Sequence, residues 1–266
     1  MPVNNLNLNG DRIKTYNVLQ SFTLMDDTFM TAVFDNDIKA TSYLINTILS
    51  RDDIVVTSAV AQDSISNLYG RGVRLDIRAK DSDGKVYDIE VQNDDSGTVP
   101  ERARFNSALL DTHITESGKK YTDIPETYVI FMTKNDVLKG GLPKYTIERM
   151  ILELNKSFDD KAHIVYVNCS YNNTDNLGKL IHDFKCQDYK AMYSTILADK
   201  VKYFKEEPKG VEKMCEKMEN LLDEVRAEEA KNTVTRLWKN GIKDINLIAS
   251  SVNLSVDEVN KIISNI

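Results

Sequence analysis

The stretch Val73–Asn93, VRLDIRAKDSDGKVYDIEVQN, decides the fold that we predict for this chain. Two runs of alternating apolar and polar residues flank the turn DSDGK, and Asp-Gly between such runs is a strong β-hairpin signal. Side chains alternate between the two faces of a strand. One face of the hairpin therefore carries Val73, Leu75 and Ile77, followed by Tyr87, Ile89 and Val91.

The other face of the hairpin brings two acids together. A three-residue loop, Ser82-Asp83-Gly84 with Gly84 left-handed, sets a register in which Asp76 lies opposite Glu90, with Cβ atoms about 5 Å apart. Adjacent acids repel unless a cation lies between them, and a divalent metal with oxygen ligands is the simplest such cation. Acid-bearing surface strands without metal are also common, so both interpretations stay open. Gln92 and Asp88 share this face, Asp88 opposite Arg78.

Composition sets the broad class. The 266 residues are 41% apolar and 28% charged, as in a soluble protein with one domain of about 150–200 residues and an appendage. The chain has no apolar run of about 20 residues and no apolar signal core near its N-terminus, which predicts a cytoplasmic protein without membrane contacts. Scattered cysteines and histidines argue against disulfides and zinc. The net charge of −7 gives no support to DNA binding, although it leaves room for a local basic groove.

Hydrophobic periodicity predicts a mixture of elements over the first 170 residues. Residues 1–22 read as a loose arm. We predict helices over Leu24–Phe34, Ile38–Leu49 and Glu101–Glu116, a strand buried on both faces over Thr127–Thr133, and a strand over Ile164–Val167. Asp26 or Asp27 is placed to cap the first helix.

The predicted helix over Glu101–Glu116 carries two arginines in its first turn. Arg102 and Arg104 oppose the helix dipole there, so they need a partner. A salt bridge to Asp94 or Asp95 and a contact to a phosphate beside the metal are equally open explanations. Its predicted inward residues are Phe105, Leu109, Leu110 and Ile114.

The last third of the chain reads as helical. Val211–Trp238 has an apolar stripe between dense Lys and Glu, and two short amphipathic helices follow in residues 244–266. Ser255 and Glu258 have the spacing of a capping box at the second short helix. The pair resembles a helix-turn-helix. Packing or self-association is at least as well supported as DNA recognition, because Lys261 is the one cation in the second helix.

Several segments resemble a known family. Asp76, thirteen residues, then Glu90-Val91-Gln92 is similar to the D…(D/E)xK signature of PD-(D/E)XK nucleases, with glutamine in the lysine position. Over about residues 20–205 the chain resembles the PD-(D/E)XK nuclease family transposases, related to the Rpn recombination-promoting nucleases, which commonly carry ExQ. The segments are LMDDTFMTAVF, NLYGRGVRLDIRAKDSDGKVYDIEVQ, ERARFNSALLD, PETYVIFMTKNDVLKGGLPKYTIER and AHIVYVN.

The resemblance implies an α/β, restriction-endonuclease-like core in which helices flank a mixed central β-sheet and the hairpin supplies the active edge. It implies that Asp76, Glu90 and the carbonyl of Val91 bind metal and that Gln92 orients the attacking water or phosphate. Asp26 matches an acid of the first helix, with Asp27 as the fallback. Arg102 matches a phosphate-contacting arginine, and Arg104 is grouped with it as a DNA contact.

These inferences combine into one functional expectation. It is a Mg²⁺- or Mn²⁺-dependent endonuclease that hydrolyses DNA phosphodiesters, in mobile-element recombination or in defence against foreign DNA. The alternative is a nucleic-acid-binding or assembly protein whose nuclease site has decayed, since an amide cannot supply the charge of a lysine. We expect a nuclease-like domain over residues 1–205 and an α-helical C-terminal extension over 206–266 that allows a homodimer.

Overall fold

The structure is a computed structural model that describes residues 10–65 and 71–265. The helices are α1 (Gly10–Ser21), α2 (Asp27–Phe34), α3 (Ile38–Leu49), α4 (Pro100–Ile114), α5 (Asn176–Lys185), α6 (Thr195–Glu206), α7 (Pro208–Lys239), α8 (Ile245–Val252) and α9 (Val256–Ile263). The strands are β1 (Val56–Ile65), β2 (Val73–Asp81), β3 (Val86–Gln92), β4 (Thr127–Thr133), β5 (Lys144–Ile147), β6 (Met150–Ile151), β7 (Lys156–Ser157) and β8 (Ala162–Asn168).

Six of the strands form one mixed sheet in the order β1-β2-β3-β4-β8-β5. The three central strands β3, β4 and β8 are parallel, and the outer strands are antiparallel to their neighbours. Parallel neighbours need a crossover, which α4 provides between β3 and β4. The prediction of a mixed sheet flanked by helices is confirmed, as is the doubly buried strand Thr127–Thr133.

The two faces of the sheet carry different helices, and β4 shows the division. Val129 and Phe131 pack in a small cluster with Ala103 and Leu110 of α4. The intervening residues Ile130 and Met132 pack in a much larger cluster, which α2, α3, α5, α6 and the first turns of α7 complete. One face is therefore covered thickly, and the other is covered by the single helix that follows the Glu90 strand.

The central hairpin has the predicted loop and register. Gly84 has φ +85°, its N–H donates to the carbonyl of Asp81, and Ile77 pairs with Ile89 as the three-residue loop requires. The Asp81 carboxylate holds the turn, because it accepts the N–H of Lys85 and the Tyr87 hydroxyl. Turn and ladder thus support the same register.

The β2–β3 ladder ends at Ile77 and Ile89, whereas β1 and β2 stay paired as far as Ile65 and Val73. Two-stranded ribbons twist more strongly than wider sheets. The prediction that Leu75 and Ile77 share one apolar face is wrong in consequence: Leu75 packs in the α4 cluster, and Ile77 packs in the large one. The two strands separate at the position of Asp76.

Residues 10–21 correct another prediction. They form α1, where a loose arm was predicted, because Tyr16 and Leu19 are buried and Arg12 pairs with Glu219 of α7. Helix stability here comes from tertiary packing rather than from a sequence stripe. The rest of the predicted arm, residues 1–9, lies outside the described residues.

The long helix α7 belongs to two apolar clusters. Val211, Met214 and Met218 pack in the large core, and Val234 packs with α8 and α9 in a cluster of its own. Between these ends, residues 220–229 are exposed on every side. The two predicted short helices and the Ser255–Glu258 capping box are confirmed. Among the described residues, no helix combines the length and apolar character that crossing a bilayer requires.

Candidate active site

Asp76 lies where β2 separates from β3, and its side chain replaces a lost backbone acceptor. The N–H of Val91 donates to Asp76 Oδ2 at 2.8 Å, two residues beyond the last paired residue of β3. Buried strand N–H groups need an acceptor. The carboxylate therefore bridges the gap between the strands and is fixed next to the Glu90 segment.

Glu90 is fully buried and is paired with a cation from the helix layer. Arg102 extends from the first turn of α4, and its guanidinium donates to Glu90 Oε2. The ring of Phe131 on β4 lies 5.5 Å from the guanidinium carbon, which adds a cation–π contact. Arg102 is one-third exposed, so one part of the guanidinium stays accessible from solvent.

The contacts of Arg102 answer one question that the sequence left open. Asp94 accepts from Ser96, and Asp95 accepts from the Asn135 side chain. Neither acid pairs with Arg102, and the salt bridge that the sequence left open is made to Glu90 instead. A pairing with Glu90 offsets the unfavourable position of an arginine at a helix N-terminus, because it also neutralises a buried carboxylate.

Gln92 joins the other three groups. Its Oε1 accepts from Arg102 at 3.0 Å, and its Nε2 lies 3.5 Å from both Asp76 Oδ2 and Glu90 Oε2. Because a guanidinium can only donate, the amide oxygen faces Arg102 and the amide hydrogens face the acids. The structure thus brings Asp76, Glu90, Gln92 and Arg102 into one cluster, which we call the acid–amide cluster.

Burial and mutual repulsion perturb the acids of this cluster. Burial, together with the nearby charge of Glu90, raises the pKa of Asp76 to about 7. Burial also raises the pKa of Glu90, although Arg102 acts in the opposite direction. A cation placed between the two groups would lower both pKa values, because it stabilises the ionised carboxylates. The charge of Arg102 alone leaves the pair under-neutralised.

A buried acid behind the cluster was not assigned a role from the sequence. Asp88 is fully buried, and its Oδ2 accepts from the side chain of Asn106 on α4 at 3.3 Å. Burial and the charge of Glu90 raise the pKa of Asp88 well above its usual range. Among the described residues, Asp88 Oδ1 is a buried oxygen without a hydrogen-bond partner.

The surroundings of Asp88 bear on two sequence-based expectations, the partner of Arg78 and the inward face of α4. Asp88 lies opposite Arg78 as predicted, but Arg78 pairs with Asp63 on β1 instead. The inward face of α4 is formed by Ala103, Asn106, Ser107 and Leu110, whereas Phe105 is exposed. The polar spacing of Arg102 and Asn106, one helical turn apart, is the sequence signal that could have revealed this face.

The structure does not bring Asp26 into the acid–amide cluster. Its carboxylate accepts from the N–H and hydroxyl of Thr23, and it makes no side-chain cap for α2. Asp27 is the acid that approaches, because its charge raises the pKa of Asp76 and its carboxylate accepts from Gln62. Asp27, the alternative to Asp26, is therefore the acid of α2 that lies nearer to the acid–amide cluster.

Arg104 also lies elsewhere. It is exposed and lines a separate groove between α4 and the β5–β8 edge, together with Glu101, Glu148 and Arg149. A side chain two residues beyond Arg102 on a helix points away from it. The structure thus separates the two arginines that the sequence grouped.

The oxygen donors of the acid–amide cluster suit the divalent metal that the resemblance implies. Within the described ranges, Glu90 Oε1 is a buried oxygen without a hydrogen-bond partner, and no group of three or more acidic, histidine or cysteine side chains could hold an ion. Two carboxylates and a backbone carbonyl are a set that suits Mg²⁺, which keeps several waters of its own. The residues present therefore fit a hydrated divalent ion bound through few protein oxygens.

The mixed sheet flanked by helices defines an α/β protein with a fold consistent with the restriction-endonuclease-like class. The model of the PD-(D/E)XK nuclease family transposase matches residues 34–240, and the chain belongs to that family. The match begins after Asp26 and Asp27 and extends through α7. A relation to the Rpn nucleases is consistent with it. Neither the curated proteins nor the solved structures contain a match to the chain.

Proposed function

We propose that this protein is a metal-dependent endonuclease that hydrolyses phosphodiester bonds in DNA. The observation that carries the proposal is the acid–amide cluster at the separation of β2 and β3. It combines two carboxyl groups with raised pKa values, an accessible guanidinium and an oriented amide. Family membership supports nuclease chemistry in general terms.

Asp76, Glu90 and the carbonyl of Val91 would hold the metal. A bound divalent ion polarises a phosphate oxygen and makes water more acidic. Arg102 holds Glu90 through Oε2, so the unpartnered Oε1 has a restricted range of positions. Preorganisation of that kind is what a positioned charge needs to favour a transition state.

Arg102 would supply the cation that Gln92 lacks. In this arrangement the positive charge comes from α4 rather than from the third position of the β3 motif. A guanidinium has five donors and can bind Glu90, Gln92 and one phosphate oxygen together. Gln92 would orient the attacking water or the phosphate with its amide hydrogens, which already face the acids. Asp27 replaces Asp26 as the third acid of this proposal.

Cleavage of supercoiled plasmid in Mg²⁺ or Mn²⁺ tests the proposal. Asp76→Asn keeps the shape of the side chain but removes a negative charge, so we expect cleavage to fall at least about 100-fold. Asp83→Asn, in the exposed hairpin loop, is the matched control and should cleave normally. Equal rates for wild type and Asp76→Asn would refute the assignment of the site.

A nucleic-acid-binding or assembly protein with a decayed site is the second candidate. The ion pair between Arg102 and Glu90 favours it, because a resident guanidinium competes with a metal for the same carboxylate. Calorimetric titration with Mn²⁺, with and without DNA, separates the two candidates. Heat of binding that disappears in Asp76→Asn supports the nuclease, and no heat under either condition supports the decayed site.

A further inference from the structure

The end of α7 forms a small helical module with α8 and α9. Val234, Ile248, Ala249 and Val259 are its buried centre, and seven partly buried apolar residues surround them. None of these residues takes part in the two clusters around the sheet. Because it has its own apolar centre and is reached through the exposed middle of α7, the module stands apart from the acid–amide cluster.

The connection between α8 and α9 is short and begins with a left-handed residue. Helix α8 ends at Val252, Asn253 is left-handed with φ +56°, and the N–H of Leu254 returns to the carbonyl of Ala249. Asparagine tolerates that conformation better than most residues with a side chain. Ser255 then caps α9 at once, so three residues reverse the chain. Short turns of this kind join the two helices of DNA-binding helix-turn-helix units.

The charges of the module differ from those of the rest of the chain. Residues 231–266 carry five Lys or Arg against three Asp or Glu, although the whole chain has a net charge of −7. A groove of about 330 Å³ between α7 and α9 is lined by Lys231, Lys239 and Lys261, with Thr235, Ile262 and Asn265 between them. No carboxylate is among these described lining residues. We call this feature the lysine groove.

The lysines of the groove are available for a ligand. All three are exposed, and Lys231 makes a pair with Glu228 at 3.8 Å in which both side chains are more than half exposed. Exposed pairs at this separation contribute little energy, so they exchange readily for another anion. Three exposed cations along a groove that no carboxylate of the described residues lines attract a polyanion, and phosphodiester backbones present phosphates at regular spacing.

We propose that the module of α7, α8 and α9 docks duplex DNA, with the lysine groove on the phosphate backbone. This contact lies beyond the cleavage site and uses none of its residues. Asn260 and Val256 on the exposed face of α9 lie next to the DNA in this arrangement. A second copy of the chain is disfavoured as the occupant, because a two-fold axis through the groove would place lysine against lysine.

The test measures binding of a 30-base-pair duplex by fluorescence anisotropy over a series of salt concentrations, in EDTA so that no cleavage occurs. The full chain is compared with a variant in which the three lysines of the groove are replaced by glutamine. Each lost phosphate contact lowers the slope of log K against log salt by about 0.9, so we expect a loss of about 2–3 in slope. At low salt the affinity should fall at least about 10-fold.

Two matched variants make the outcome decisive. Replacement of the three lysines by arginine keeps the charge and should keep the slope, which separates charge from folding. Lys119→Gln, Lys120→Gln and Lys156→Gln together remove the same charge from exposed positions elsewhere and should leave the slope unchanged. An unchanged slope in the groove variant overturns the proposal. Sedimentation of the same variant tests for a second copy in the groove: if the glutamine substitutions dissociate a dimer and leave DNA binding unaltered, the proposal is also overturned. If the protein fails to cleave plasmid, the proposal of DNA docking still stands, because the anisotropy measurement is made in EDTA and does not depend on cleavage.

Discussion

Removal of one acid from the acid–amide cluster should stabilise the metal-free protein. Asp76 has a pKa of about 7 instead of its ordinary 3.8, so its ionised form is unfavourable in the folded state. The difference corresponds to at most about 4 kcal/mol at pH 8. Partial exposure of Asp76 screens this effect, and we expect Asp76→Asn to raise the free energy of unfolding by about 1–3 kcal/mol. The amide oxygen can still accept the N–H of Val91.

The pH dependence gives the sign of the effect. Between pH 4 and 7 the folded state binds more protons at Asp76 than the unfolded state does, so wild-type stability falls as pH rises through this range. The advantage of Asp76→Asn should therefore be present at pH 8 and disappear near pH 4.

Urea unfolding in EDTA at both pH values measures this difference, with Asp83→Asn as the control. A destabilised Asp76→Asn at pH 8, or an equal gain at pH 4, would contradict the electrostatic account. Mn²⁺ should reverse the order of stability, because only the wild type gains from binding metal.

Two further predictions concern the scaffold. Lys205→Met should lower the free energy of unfolding by about 3–5 kcal/mol, because the buried Nζ donates to the carbonyls of Gln20, Phe22 and Gln187, which would then have no donor. Urea unfolding measures this loss, with the exposed Lys202→Met as the control. Similar losses in the two variants would contradict the prediction. Gly178→Ala should lower the free energy of unfolding by about 2–3 kcal/mol, because a Cβ there would lie 2.1 Å from the carbonyl oxygen of Asn173. Thermal unfolding measures this loss, with Asn176→Ala as the control, and an unchanged midpoint for Gly178→Ala would contradict the prediction.

The local elements could be predicted because their determinants are local. The hairpin loop depends on Gly84 and on alternation in the flanking strands, and the observed register follows from them. The bounds of α3 and β4 agree with the periodicity of their own residues. In each of these elements the sequence pattern and the tertiary environment favour the same structure.

The contacts within the site depend on tertiary packing, so they were harder to predict from the sequence than the local elements were. The inward face of α4 is polar because Asn106 faces Asp88, which an apolar-stripe analysis cannot detect. The choice between Asp26 and Asp27 depends on where α2 begins, and element boundaries shift by a residue or two. The partner of Arg102 follows from the distance between α4 and β3 rather than from neighbours in sequence.

The bare middle of α7 has a geometric consequence. Met218 is fixed in the large core and Val234 in the C-terminal module, with an unbroken helix between them. At about 1.5 Å per residue this interval spans about 24 Å, close to seven steps of a DNA duplex at about 3.4 Å each. Each residue also rotates the helix by about 100°. The number of residues in this interval therefore sets both the distance along α7 from the nuclease core to the module and the rotation of the module about the helix axis.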